Sequence, residues 1–268
     1  MTTLEDLSLY TAPIAEQLRP ETYGFTTVLT PQGYNPKTRK GRARGYSTAI
    51  LHLTPSDFSG LNVCQFASPG CRAGCLHLAG HAGIIKRGQT TNNIIQARLK
   101  RTKLFRYNRF AFGRLLIEAI TTHIRRARKN GLIPVVRLNG TSDLPWERLL
   151  FEGQTILARF PEIQFYDYTK DPRRAIANAR GEHPANYHLT FSRSEINDAD
   201  CHEVLAAGGN VAVVFAKHLP DIWAGVRVVD ADQDDLRFLD PRGVILGLKA
   251  KGRNGKRDTS GFVVRQAA

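Results

Sequence analysis

Apolar positions along the chain follow two rhythms. Short apolar runs at 48–53, 133–138, 163–166, 187–191, 211–215, 226–229 and 244–248 are bounded by turn residues and have the length of buried strands. Between the first two runs the period changes. Phe112, Leu116, Ile120 and Ile124 recur every four residues and line one face of a helix. Thr90, Thr91 and Asn92 are N-cap types, Asn108 restarts a second helix after a break, and Asn130-Gly131 supplies a C-cap. Helix-length segments at 146–160 and 171–179 separate later runs. Strands alternating with helices predict βαβ units and a parallel sheet. About seven strands over this length predict an α/β class chain with a (β/α) TIM-barrel-like fold. The last crossovers are too short for full helices, so the barrel is expected to be irregular or partial.

The beginning of the chain has no such rhythm. Pro13, Pro20 and Pro31 interrupt it, and 34–46 reads YNPKTRKGRARGY, with five basic residues and no large apolar side chain between the tyrosines. Residues 1–45 are therefore expected to form an N-terminal arm, with one short helix and a mobile basic loop. Residues 46–268 are expected to form one barrel-like domain, without internal repeats.

Composition adds a partner. The 268 residues are 42% hydrophobic and 23% charged, which is ordinary globular usage, but 38 basic against 24 acidic residues leave a formal charge of +14. That balance points to a polyanion such as nucleic acid, DNA ahead of RNA. The charge is concentrated: 58–117 contains no acid and ten basic residues. Lys86, Arg87, Arg98, Lys100, Arg101, Lys103 and Arg106 are the candidate nucleic-acid contacts, with Phe105 and Tyr107 interleaved for stacking. The alternative is a solvated helix face. The loop 37–44 and the tail 249–257 extend the same positive surface. No apolar run approaches the roughly 20 residues needed to span a bilayer, and Met1-Thr2-Thr3-Leu4-Glu5-Asp6 lacks the order of a signal peptide. The expectation is a cytoplasmic protein with no membrane partner; its oligomeric state is not legible.

Three of the four cysteines are grouped. Cys64, Cys71 and Cys75 lie in NVCQFASPGCRAGCLHLAGH with the spacing C-x6-C-x3-C. Three thiolates from one glycine- and proline-bearing loop suit three irons of a [4Fe–4S] cluster. The fourth iron is left to Cys201, His77, His81, a small molecule or water. Zinc is the rival metal, with Cys3His as its donor set, and thiols without any metal are the bland reading.

Polar residues follow the strands. In parallel α/β folds, side chains beyond the C-terminal strand ends line the site. Here Asn139, Asp143, Glu147, Asp167 and Lys170 are candidate catalytic or substrate groups, and Ser192 to Glu195, Lys217-His218, Asp230, Asp232, Lys249 and Lys251 follow later strands. Helix capping accounts for about half of them. The cysteine loop follows the first strand, which places it at the same mouth.

Several motifs in order carry a resemblance. NVCQFASPGCRAGCL, VRLNGTSDLPWE, FYDYTK and DDLRFLDPRGVILGLKAKG followed by GFVV resemble a phage-borne family described as gene product eighty-eight-like, over most of the chain after about residue 45. The resemblance implies phage or prophage origin, a host-cytoplasmic protein and an iron–sulfur site on Cys64, Cys71 and Cys75. It implies no reaction. The layout is also similar to radical S-adenosylmethionine enzymes, which carry a three-cysteine loop after the first strand of a partial barrel. Their spacing is C-x3-C-x2-C, however, and no glycine-rich cosubstrate segment is evident unless Asn139-Gly140-Thr141 replaces it. Three functions follow: a cluster protein that binds nucleic acid, a radical S-adenosylmethionine-like or otherwise cluster-dependent enzyme using an open iron site, and a zinc-stabilised structural phage protein.

Overall fold

The computed structural model describes residues 18–265 except 32, 34, 35, 57, 79, 86 and 87, and omits the side chains of 37, 78 and 253. Its strands are β1 (Leu29–Thr30), β2 (Tyr46–Leu51), β3 (Ile133–Arg137), β4 (Leu150–Phe151), β5 (Gln154–Thr155), β6 (Gln164–Thr169), β7 (Tyr187–Ser192), β8 (Val211–Phe215), β9 (Ile222–Trp223), β10 (Val226–Asp230), β11 (Ile245–Lys249) and β12 (Val263–Val264). Its helices are α1 (Pro36–Ala43), α2 (Pro69–Ala73), α3 (Asn93–Tyr107), α4 (Arg109–Lys129), α5 (Ile156–Arg159), α6 (Pro172–Ala179), α7 (Asp198–Ala206) and α8 (Gly252–Lys256).

Nine of the strands line up in the order β1-β2-β3-β6-β7-β8-β11-β10-β9, with β12 beside β8. All pairs from β2 to β10 are parallel, and the two edge strands β1 and β9 are antiparallel. All seven apolar runs became strands of this sheet. The barrel did not follow: among the described residues the ladders run from edge to edge and do not close. Two features account for this. The order of β10 and β11 is exchanged, so the winding reverses after β8, and each end of the sheet is finished by a two-residue antiparallel strand.

Sequential order from β2 to β8, with right-handed crossovers, puts the connecting helices on one face. That face holds the largest core. Ala49, Leu51, Val136, Phe165 and Leu189 from the sheet pack with Leu116, Ile120 and Ile124 of α4, each of the three helix residues no more than 8% exposed. Burial of each such aliphatic side chain contributes roughly 1.5–3 kcal/mol. The alternate strand residues face the other way, as period-two geometry requires. There Tyr46 and Tyr166 pack on Phe238, with centroids at 5.6 and 5.5 Å. Phe238 belongs to the segment 231–240, which follows β10 and covers the face that a barrel would have enclosed. Its Asp235 carboxylate accepts from Arg137 Nη1 and from the Tyr166 hydroxyl, both at 3.2 Å.

Three local expectations change. The segment 146–160 is not a helix, because Glu152 and Gly153 both adopt positive φ (50° and 79°) and turn β4 into β5 as a two-residue hairpin. Only the short α5 remains, capped by Thr155. The basic loop is a helix over most of its length: Pro36 opens α1, and Lys40 and Arg44 tie it to Asp232 O and to the Asp234 carboxylate. Residues 1–17 of the arm lie outside the described residues, but its later part enters the main core, with Tyr23, Phe25, Val28 and Leu29 all buried.

Candidate functional site

Beyond Leu51 the chain leaves β2 and enters the cysteine loop. Ser68 caps α2 by accepting from Cys71 N–H at 3.1 Å. The same hydroxyl donates to Glu195 Oε2 at 2.8 Å, and Gly70 N–H donates to Glu195 Oε1 at 2.7 Å. Glu195 stands just past β7. Burial would raise its carboxyl, but these hydrogen bonds more than offset that and hold it below its usual range. On the other side, Asp143 N–H donates to Val63 O at 2.7 Å, and the Cys64 thiol donates to Thr141 O at 3.8 Å. The loop is thus pinned over the C-terminal ends of β3, β6 and β7, at the mouth expected for it.

The tail closes the site from the far side. β7 pairs with β8 only at its last two residues, and β12 then takes over the same edge of β8 at Val214 and Phe215. Arg193 Nη1 grips Gly261 O at 2.5 Å, and Lys170 Nζ lies 5.2 Å from the centroid of Phe262. Gly70 is where loop and tail touch. A Cβ there would strike Ser260 Oγ and come within 2.8 Å of Glu195 Oε2 and of Phe262 Cβ. Gly70→Ala should therefore lower stability by about 1–3 kcal/mol through overpacking. Gly255→Ala, where a Cβ meets nothing within 4 Å, should leave it unchanged. Urea unfolding of the two variants checks the contrast, and equal midpoints would refute it.

The three loop thiols are free and partly exposed. Burial pushes Cys64 up to about 12, and the nearby charges of Cys75, Asp143 and Cys71 add to the rise. Cys71 and Cys75 are raised too, first by burial; Glu195 and Asp143 also act on Cys71, and Cys71 itself on Cys75. Cys64 thus feels both other thiols, and Cys75 feels Cys71. Lys170 and Arg72 beside Cys71, and Arg98 beside Cys75, work in the opposite direction. Among the described residues no three His, Cys, Asp or Glu side chains form a group able to hold a single metal ion. Three soft sulfurs from one loop, faced by cations, are the donor type that iron–sulfur clusters take.

Two other ligand candidates are engaged elsewhere. His77 Nδ1 lies 3.1 Å from Arg98 Nη1, which also donates to His77 O at 2.8 Å. An arginine only donates, so Nδ1 accepts and the ring proton sits on Nε2. Burial, then Arg98, lowers this histidine to about 4. Cys201 is 2% exposed in a separate apolar cluster with Val204, Phe191 and Val213, its thiol 3.9 Å from Asn197 Oδ1. His81 is exposed on a 3-10 turn.

A family model described as Gene product 88 matches residues 28–266. The chain belongs to this phage gene-product family. No curated protein matches it, and no solved structure does. The match carries the family; the iron–sulfur site and the likeness to radical S-adenosylmethionine enzymes rest on the residues alone. No helix among the described residues is long and apolar enough to cross a membrane.

In this Gene product 88 chain the strand-end residues are distributed unevenly. Asn139 is buried and organises its own turn: its Oδ1 accepts from Ser142 Oγ, Leu144 N and Trp146 Nε1 at 2.8–3.1 Å. Thr141 Oγ1 donates to Leu53 O. These polar atoms hold the turn after β3 and tie it to the chain leaving β2. Asp143 accepts from Lys170 N at 2.8 Å and from Arg174 Nη1 at 2.7 Å, and Glu147 accepts from Arg174 Nε and Nη2. Asp167 is fully buried. Lys170 faces Cys71 together with Asp143 and Glu195. Its amine donates to Ser192 O, Ser192 Oγ and Arg193 O, and burial lowers its pKa against the pull of Cys71, Asp143 and Glu195. Lys217 and His218 are exposed.

The proposed nucleic-acid contacts are placed differently from expectation. Lys86 and Arg87 lie outside the described residues. Arg98, Arg101 and Lys103 are buried. Arg101 Nη1 donates to Thr27 O and Val28 O, and Lys100 Nζ to Gly24 O. These cations bind the carbonyls of the N-terminal segment and hold it on α3. Arg106 is exposed, with its guanidinium 5.2 Å from the Tyr107 ring centroid. Sequence reasoning missed Arg174 and the tail strand β12. The one signal for Arg174 is a cation in the first turn of a helix, where the dipole disfavours it without carboxylates nearby.

Proposed function

We propose that this protein is a phage-type [4Fe–4S] protein that binds nucleic acid, with DNA the partner to test before RNA. The observation that carries it is the trio Cys64, Cys71 and Cys75 on one loop, pinned at the sheet mouth by Glu195 at Gly70 and by Asp143 at Val63. Those three residues would hold the cluster through their sulfurs. A bound cluster supplies one-electron chemistry and, with three protein ligands, one iron open to an exogenous ligand. Ser68, Gly70 and Glu195 keep the loop in place, and Arg98, Arg72 and Lys170 offset the negative charge of the thiolates. The charge of +14 supports the polyanionic partner.

A second reading, a cluster-dependent enzyme, is favoured by two observations. Cys201 is buried in an apolar cluster with Val204 and Phe191, and the Lys170 amine lies near Cys71, Asp143 and Glu195. Asn139, Glu147, Asp167 and the Lys170 amine are all engaged in internal bonds, so the iron left open by three protein ligands would be the place for a substrate. S-adenosylmethionine is the cosubstrate to test in that case.

Anaerobic purification with iron and sulfide quantitation decides the first point. About four irons per chain are expected, lost in Cys64→Ser, Cys71→Ser and Cys75→Ser and kept in Cys201→Ser. A colourless protein with about one zinc per chain would overturn the reading. An EPR signal of the reduced cluster that shifts on adding S-adenosylmethionine would move the assignment to the enzyme.

A further inference from the structure

With Arg98, Arg101 and Lys103 turned inward, the excess charge is displayed elsewhere. α1 exposes Arg39 and Arg42, and the tail around α8 exposes Lys256 and Arg257. The two segments are far apart in sequence but joined at one residue. Lys40 Nζ donates to Asp232 O, and Lys251 Nζ pairs with Asp232 Oδ1, both at 2.8 Å. Lys249 N–H donates to Asp232 Oδ2 at 2.9 Å. α8 then reaches the cysteine loop, where Asn254 Nδ2 donates to Ala73 O at 3.2 Å, next to the exposed Arg72. These contacts make α1, the tail and the cysteine helix successive neighbours, each with exposed cations. Phe66, 39% exposed on the cysteine loop, offers a ring on which a base can stack.

A rival patch exists at the end of α4, where Arg125, Arg126, Arg128 and Lys129 are exposed. It has an ordinary explanation. Cations in the last turn complement the helix dipole, and Arg128 lies 3.8 Å from Glu162.

We infer that this succession from α1 to α8 is the surface that takes the phosphate backbone of nucleic acid, and that it leads the strand past the cysteine loop. This rests on the nucleic-acid reading above and names its surface. Each phosphate contact contributes about 0.9 to the salt slope on duplex DNA and about 0.7 on single strands. The test is fluorescence anisotropy of labelled DNA of about 20 nucleotides, single-stranded and duplex, with the full chain between about 50 and 200 mM salt. Arg39→Ala/Arg42→Ala/Lys256→Ala/Arg257→Ala should bind at least about 30-fold more weakly and lower the duplex slope by about 3 to 4. The α4 quadruple alanine variant should stay within about twofold of the parent. If the first quadruple variant does not fold, Arg39→Ala/Arg42→Ala and Lys256→Ala/Arg257→Ala separately should each weaken binding about fivefold. A parent protein that binds neither DNA takes down the nucleic-acid reading and this surface together. A parent that binds, with loss confined to the α4 variant or seen in neither, overturns the surface and leaves the reading standing.

Discussion

Arg174→Ala should cost about 3–5 kcal/mol of folding free energy, because it strands two buried carboxylates. The guanidinium is 3% exposed and meets Glu147 at 2.8 and 2.9 Å and Asp143 at 2.7 Å. It also donates to Thr169 Oγ1 and Leu144 O, both at 3.1 Å. Burial alone would loosen its proton, but Tyr187, Glu147 and Asp143 more than offset that and hold it charged. Glu147 and Asp143 have side chains only 4% and 10% exposed, so water cannot replace the lost donors. The penalty belongs to the unpaired charges rather than to the pair itself, and a double variant separates the two. Arg174→Met/Glu147→Leu removes one stranded charge and should recover part of the loss. Urea unfolding of both variants reads the difference, and a double variant less stable than Arg174→Met alone would refute the account. The effect should extend to the cysteine loop, because Asp143 holds Val63 through its N–H and Lys170 through its carboxylate.

The strands were legible because each is an apolar run with turn residues at both ends, a signal that a buried parallel strand carries locally. What lay outside that signal was long-range. The exchange of β10 and β11 depends on which edge of β8 is open, and nothing in residues 226–248 states it. The same holds for β12, a two-residue strand that takes an edge β7 has vacated. The charge pattern misplaced Arg98, Arg101 and Lys103 for a related reason. An acid-free run of ten cations looks like a surface when carboxylates are the only imagined partners. Backbone carbonyls are partners as well: Thr27, Val28 and His77 satisfy Arg101 and Arg98 without an acid. The cysteine loop was readable from its spacing and its position after the first strand. Its anchors were not, because Glu195 lies over a hundred residues downstream and reads as one strand-end polar residue among many.

Asp167 should make stability fall as the pH rises from about 4 to about 7, opposite to the usual carboxylate. The residue is fully buried in β6, and burial lifts it to about 7 although Arg137, Asn139 N–H, Tyr187 and Arg174 all favour the charged form. Its folded form therefore holds a proton that the unfolded chain has already released near pH 4. Between those two values the native state binds more protons, so each step up in pH favours unfolding; above about 7 the loss is complete. A shift from 3.8 to about 7 corresponds to on the order of 4 kcal/mol. Asp167→Asn removes the titration while keeping an oxygen for Asn139 N–H, now 2.6 Å away. The amide cannot accept the Tyr187 hydroxyl that Oδ2 receives at 3.1 Å, which costs about 1 kcal/mol at every pH. The variant should thus be slightly less stable than the parent near pH 4 and about 3 kcal/mol more stable near pH 8. Asp240, raised to about 6 by burial, titrates in both proteins and cancels in the comparison. Urea midpoints across that range measure it, and a constant difference would show that the carboxyl titrates in its ordinary range. Either way the group is sealed beneath the Asn139 turn, so it shapes the mouth from below and does not reach into it.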